Sequence, residues 1–157
     1  LVTHDAEEAL ALCDRIALMQ AGRIVQVGTG EELYRNPATR FAARFFSDLV
    51  EFDGRCVEGR VETPFGPLAA PGFSDGDTVL VCLRPEAIRP EAAGSGAAAH
   101  VIERRFLGGR ALLVVRVSGL DAPLNLAVPH DVPMVAGDAI SLKTTKEGCF
   151  FFAPQPD

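Results

Sequence analysis

The chain has 157 residues, 48% apolar and 23% charged, a length that suits one compact domain or two small ones and a composition that can build a folded core. The net charge is −6 and only Lys143 and Lys146 are lysines, so a nucleic-acid partner is not expected: phosphate neutralisation needs clustered Lys or Arg. No run approaches the ~18 consecutive apolar residues that cross a bilayer, and no signal-peptide pattern opens the chain.

Leu1-Val2-Thr3 reads as the tail of a buried strand, which places the natural amino terminus upstream of Leu1. Asp5 can cap a helix, with Glu8 three residues later to reach back to it. Ala6, Ala9, Leu10 and Cys13 then share one helical face. Residues 15–20 are apolar enough for a buried strand, Ala21-Gly22 is a two-residue turn, and residues 23–27 form the returning strand of a hairpin. Thr29 and Glu32 have capping-box spacing at the head of the next helix, with Glu31-Glu32 compensating its dipole. Asn36-Pro37 ends that helix and can start another, in which Phe41, Ala42 and Phe45 line one side.

From about residue 50 the regime changes. Short apolar runs alternate with Gly, Pro and Asp, and seven of them read as strands: 54–58, 77–83, 98–106, 110–117, 124–128, 139–143 and 149–152. Seven short strands with turns between them predict a small barrel or sandwich. Residues 92–99, rich in Ala, Gly and Ser, read as a flexible loop, and no internal repeat is visible at a fixed period. The expected boundary therefore divides the chain into residues 1–48 and 49–157.

Few residues offer chemistry. Cys13, Cys56, Cys82 and Cys149 form no Cys-x-x-Cys pair and none lies at zinc-ligand spacing from a histidine, so they read as small apolar residues of a reduced cytosolic protein, with no metal site. His100 and His130 lack a carboxylate or cysteine at useful spacing and read as structural or exposed. His4 is different. It lies between an expected strand end, where ligands of open α/β sheets gather, and a helix N-terminus, which favours anions. It can donate to a phosphate or serve only the local backbone.

Residues 1–37, from Val2-Thr3-His4-Asp5 and Glu7-Glu8-Ala9-Leu10 through Asp14-Arg15-Ile16, Gly22-Arg23-Ile24 and Gln26-Val27-Gly28-Thr29 to Glu32-Leu33-Tyr34 and Pro37, resemble the end of the ATPase subunit of ABC importers. Gly30 departs from the pattern, since many relatives carry Pro there. Leu83-Arg84-Pro85-Glu86 and Phe106-Leu107-Gly108 resemble the transport-associated OB-type (TOBE) domain that follows that ATPase. Thr63-Pro64-Phe65-Gly66-Pro67-Leu68 with Gly72 leans toward the ferric-iron branch.

The resemblance implies an α+β chain: the remnant of an α/β P-loop ATPase over residues 1–48 and an all-β OB-like regulatory barrel over 49–157. It implies that His4 is the switch histidine contacting the γ-phosphate of ATP, that the parent uses ATP and Mg2+, and that its partners are a second ATPase subunit and transmembrane permease subunits at the cytoplasmic face of the membrane. The chain itself holds no Gly-x-x-x-x-Gly-Lys-Ser/Thr loop, no strand ending in Asp-Glu and no Leu-Ser-Gly-Gly signature, so it is expected to be inactive alone. Two other readings stay open. One is an oxyanion-binding module using Ser118, Ser141, Lys143, Thr144 and Thr145; the other is a purely dimerising barrel.

Overall fold

The structure, a computed structural model, describes residues 1–94 and 96–154. Two compact units divide at Leu49/Val50.

The first unit runs α1 (Ala6–Leu12), β1 (Ile16–Gln20), β2 (Arg23–Gly28), α2 (Gly30–Arg35) and α3 (Arg40–Phe46). β1 and β2 form an antiparallel hairpin. Its turn has positive φ at both Ala21 (48°) and Gly22 (75°), the backbone that a tight two-residue hairpin requires. α2 carries the full capping box expected of Thr29 and Glu32. α3 begins later than Pro37: Thr39 caps it by accepting the Ala42 N–H at 3.1 Å. Ala9, Ile16, Leu18, Leu33 and Ala42 form the core, with Cys13, Phe41, Phe45 and Phe46 packed against them.

Leu1–Thr3 is not a strand here. Val2 is fully exposed and Leu1 is 75% exposed. A strand exists only through a paired neighbour, and β1–β2 is a two-stranded sheet in which this segment takes no place.

The second unit contains β3 (Val50–Val57), β4 (Arg60–Val61), β5 (Leu68–Ala69), β6 (Thr78–Leu83), a 3-10 turn (Pro85–Ala87), β7 (Ile88–Ala92), β8 (Ala97–Phe106), β9 (Arg110–Val117), β10 (Leu124–Pro129), β11 (Ala139–Thr144) and β12 (Cys149–Phe152). All seven strands read from the sequence are present, and β4, β5 and β7 are additional. β7 was hidden by Pro90. It lies at a sheet edge, where a missing N–H is tolerated. β7 and β8 also shorten the expected 92–99 loop to residues 93–96, of which Ser95 lies outside the described residues.

The strands form two five-stranded sheets, β12-β6-β3-β4-β5 and β7-β11-β8-β9-β10. The two orders are the same under one substitution: β3 for β8, β4 for β9, β5 for β10, β6 for β11 and β12 for β7. Hydrogen bonds repeat atom for atom. Asp77 Oδ2 accepts from Ser74 N at 2.8 Å and Asp138 Oδ2 from Val135 N at 2.8 Å. Cys56 N donates to Asp77 O and Gly76 N to Cys56 O; Val101 N donates to Asp138 O and Gly137 N to Val101 O. Registers agree as well, Arg55↔Thr78 with His100↔Ala139, and Cys149↔Leu83 with Ile88↔Thr144.

The unit is therefore a duplicated five-strand element whose two copies have exchanged their last strands. β7 follows β6 in the chain but pairs with β11, and β12 follows β11 but pairs with β6. The two crossover segments run side by side, Arg84 N donating to Gly148 O at 2.9 Å and Thr145 N to Ala87 O at 2.8 Å. The repeat hides from a fixed-period scan because the second hairpin is longer than the first. Both copies share one core, in which Val79, Val81, Leu83, Leu113, Val115 and Leu142 are fully buried, each contributing about 1.5–3 kcal/mol.

Candidate functional site

His4 occupies the irregular segment between the chain start and α1. Its neighbours hold the backbone. Asp5 N donates to Thr3 Oγ1 at 3.0 Å, and Asp5 Oδ1 caps α1 by accepting Glu8 N at 3.0 Å. Glu8 does not reach back to Asp5 N, because Thr3 already takes that proton. The imidazole is exposed and makes no hydrogen bond among the described residues. A donor at the mouth of a capped helix suits an anion, while the strand expected before it is missing. His4 is thus an exposed side chain at the start of a capped helix.

Gly30, the departure from the family pattern, opens α2. A Cβ there would lie 2.6 Å from Leu10 Cδ2, so α1 packs over a position with no side chain.

The five oxyanion candidates stand in different surroundings. Ser141 is buried, its Oγ accepting Gly94 N at 2.8 Å. Lys143 Nζ pairs with Glu91 at 2.7 Å, and that carboxylate would repel an oxyanion. Thr145 Oγ1 donates to Glu147 O at 3.1 Å in the second crossover. Thr144 ends β11 opposite Ile88, and Ser118 N donates to Ala98 O beyond the end of β9. His100 is exposed opposite Arg116 and Ala139, and His130 packs edge-on against Phe106 at 6.5 Å. Among the described residues no group of three His, Cys, Asp or Glu could hold a metal ion, and no helix is long and apolar enough to cross a membrane.

Of the four cysteines, Cys56 and Cys82 are buried, and Cys149 donates to Thr145 O at 2.9 Å. Burial pushes the Cys149 thiol up to about 11. Arg84 was legible only as part of a motif. It is a buried arginine whose guanidinium lies 4.9 Å over the Phe150 ring, and it leads the first crossover. Gly148 lies beside it in the other crossover: a Cβ there would stand 3.0 Å from Ala87 Cβ and 3.4 Å from Arg84 Cβ.

Residues 81–152 match the family model described as TOBE domain. The Fe(3+) ions import ATP-binding protein FbpC 2 of Rhodococcus jostii (strain RHA1) is 36% identical over 117 residues, 74% of this chain and 34% of that protein. The sulfate/thiosulfate import ATP-binding protein CysA of Bradyrhizobium diazoefficiens is 33% identical over 154 residues, 95% of this chain and 44% of that protein. This chain belongs to the ATP-binding subunits of ABC importers. A spermidine/putrescine import ATP-binding protein, PotA of Oleidesulfovibrio alaskensis, matches as well, at 41% over 97 residues. Against FbpC 2 this chain spans about a third of its relative's length. The family model begins inside β6 and so covers the second copy of the duplicated element but only the end of the first. In structure this chain is like the cytoplasmic molybdate-binding protein ModG, with a TM-score of 0.52 at 12% identity, covering 67% of this chain and 96% of that one. That likeness establishes the OB-like β fold.

Proposed function

We propose that this chain is the carboxyl-terminal part of an importer ATPase subunit, joining the end of its nucleotide-binding domain (residues 1–48) to a regulatory TOBE barrel (49–157). The observation that carries the reading is the 154-residue match to a single ATP-binding protein, which runs through both units and not the barrel alone. On this reading the parent hydrolyses ATP with Mg2+ to drive solute import. It works as a dimer of ATPase subunits beneath the permease, on the cytoplasmic face of the membrane. The 157-residue chain does not turn over ATP alone.

His4 then donates a hydrogen bond to the γ-phosphate when two subunits close. Charge develops on the transferred phosphoryl oxygens, and a pre-placed donor there is typically worth about 2.7–4 kcal/mol of barrier. The capped turn from Thr3 to Glu8 keeps the backbone of His4 fixed, and its exposed ring is available to a ligand. ATP and Mg2+ supply the transferable phosphoryl group and its charge neutralisation; the cradle that binds them belongs to the rest of the parent.

The test is His4→Ala in the full-length subunit. Turnover should fall by about a hundredfold or more, with ATP affinity much less changed. A variant that melts earlier yet hydrolyses ATP at near the parental rate would reduce His4 to a backbone tie.

A further inference from the structure

Two helices of the first unit begin with the same spacing, and only one of them closes in the same way. At α2 the N-cap Thr29 accepts Glu32 N at 3.2 Å, and Glu32 Oε2 reaches back to accept Thr29 N at 2.8 Å. At α1 the N-cap Asp5 accepts Glu8 N at 3.0 Å, with Glu8 at the position of Glu32. There the reciprocal bond is replaced. Asp5 N donates upstream instead, to Thr3 Oγ1 at 3.0 Å. The residue that stands before Thr29 as Thr3 stands before Asp5 is Val27, which has no hydroxyl to offer.

The exchange of acceptor changes what the bond encloses. A bond from the cap to Glu8 would close over the first turn of α1 and leave His4 outside it. A bond from Asp5 N to the Thr3 hydroxyl closes a small ring with His4 as its middle residue, so that rotation about either backbone dihedral of His4 breaks it. Thr3 suits the task. Its branched side chain is stiff at χ1, and it is half-buried where Leu1, Val2, His4 and Asp5 are exposed. On the far side the ring is anchored through Asp5, whose carbonyl accepts Ala9 N at 3.1 Å, and Ala9 belongs to the unit's core. The one residue clamped between the two is the one whose imidazole is exposed and makes no hydrogen bond among the described residues.

We propose that Thr3 is a positioning residue for His4, its hydroxyl fixing the backbone that aims the imidazole at the γ-phosphate. This rests on the reading of His4 as the phosphate donor and adds to it the group that holds that donor in place.

The test is made in the natural full-length subunit. Thr3→Val keeps the branched shape and removes the acceptor, and Thr3→Ser keeps the acceptor. Each is combined with His4→Ala as well, and kcat, KM for ATP and melting temperature are measured. Thr3→Val should lower kcat about two- to tenfold with KM little changed, and Thr3→Ser should restore it to within about twofold of the parent. On top of His4→Ala, Thr3→Val should cost nothing further, because the donor it held is gone. Thr3→Ala serves as a second removal of the hydroxyl, so that the comparison stands even if the Val variant fails to fold. Parental kcat without the hydroxyl, a Ser variant as slow as Val, or the same fold-loss repeated in the His4→Ala background each overturns the role of Thr3 alone. His4→Ala turning over ATP at near the parental rate overturns the reading of His4 itself, and this inference with it.

Discussion

Asp77 and Asp138 give the most direct measure of the duplication. Each carboxylate accepts a backbone N–H from the residue three before it, Ser74 or Val135, at 2.8 Å. Each turn is otherwise tied down by the same two backbone bonds to the neighbouring strand. Replacing either aspartate by alanine removes one charge-assisted hydrogen bond from a capped turn and leaves the backbone bonds standing. Such losses cost about 1 kcal/mol, within a range of about 0.5–2. In a domain of this size that lowers the melting temperature by roughly 4–8 °C. The two turns share no hydrogen-bond partner, so the double variant should show nearly the sum of the singles. Urea denaturation of the three variants, with unchanged m-values, is the assay. If one substitution costs more than about 1 kcal/mol and the other less than a few tenths, the two turns are not energetic equivalents and the twofold reading fails.

Gly96→Ala should destabilise the barrel by about 1–3 kcal/mol or more, because φ is +153° and the new Cβ would meet Leu142 O at 2.6 Å; a melting temperature within a degree of the parent refutes the contact. The Cys149 thiol is held protonated by burial, up to about 11 from an ordinary 9.0. Its contribution to stability is whole below pH 9 and is lost as pH rises through 11, so Cys149→Ala should flatten the alkaline fall in stability, and the folded protein should react slowly with iodoacetamide at pH 8. Leu33→Ala, at the centre of the first unit's core, should cost about 2–5 kcal/mol there; hydrogen exchange resolved by residue should show the loss in residues 6–46. Limited proteolysis should leave a stable core that begins between about residues 46 and 56, and digestion of the whole chain at one rate would contradict separate units.

Much of the fold was legible because the signals were local. The Thr29–Glu32 capping box, the Ala21-Gly22 turn and the alternation of β8, β9 and β10 need no knowledge of distant residues. What escaped depended on partners far along the chain. β7 contains Pro90, and only its place beside β11, at an edge, makes it a strand. β4 and β5 are two residues each and exist through the turn at Glu58-Gly59 and the Gly59 to Ala70 bond. Leu1-Val2-Thr3 has strand composition and no neighbour to pair with. The duplication left only faint marks, Gly76-Asp77 and Gly137-Asp138, because the buried faces need apolar volume and not particular residues. His4 was singled out as a candidate by its place in a motif, and the fold adds its exposed ring and its hydrogen-bonded turn. The exposure of Phe106 and Leu107 was not legible in the sequence, where they served only as part of a motif; the ladder places them at the hairpin end.

The exchanged last strands set the order in which the barrel can be finished during synthesis. β6 leaves the ribosome early, yet the neighbour that covers one of its edges is β12, the last strand described. Until residues 149–152 emerge, the first sheet waits with an open edge while the second already has its full set of five strands. A deletion of β12 would leave the later-made sheet whole and strip the earlier-made one of its boundary. Loss of β12 therefore falls on the barrel's first strands, which begin at Val50.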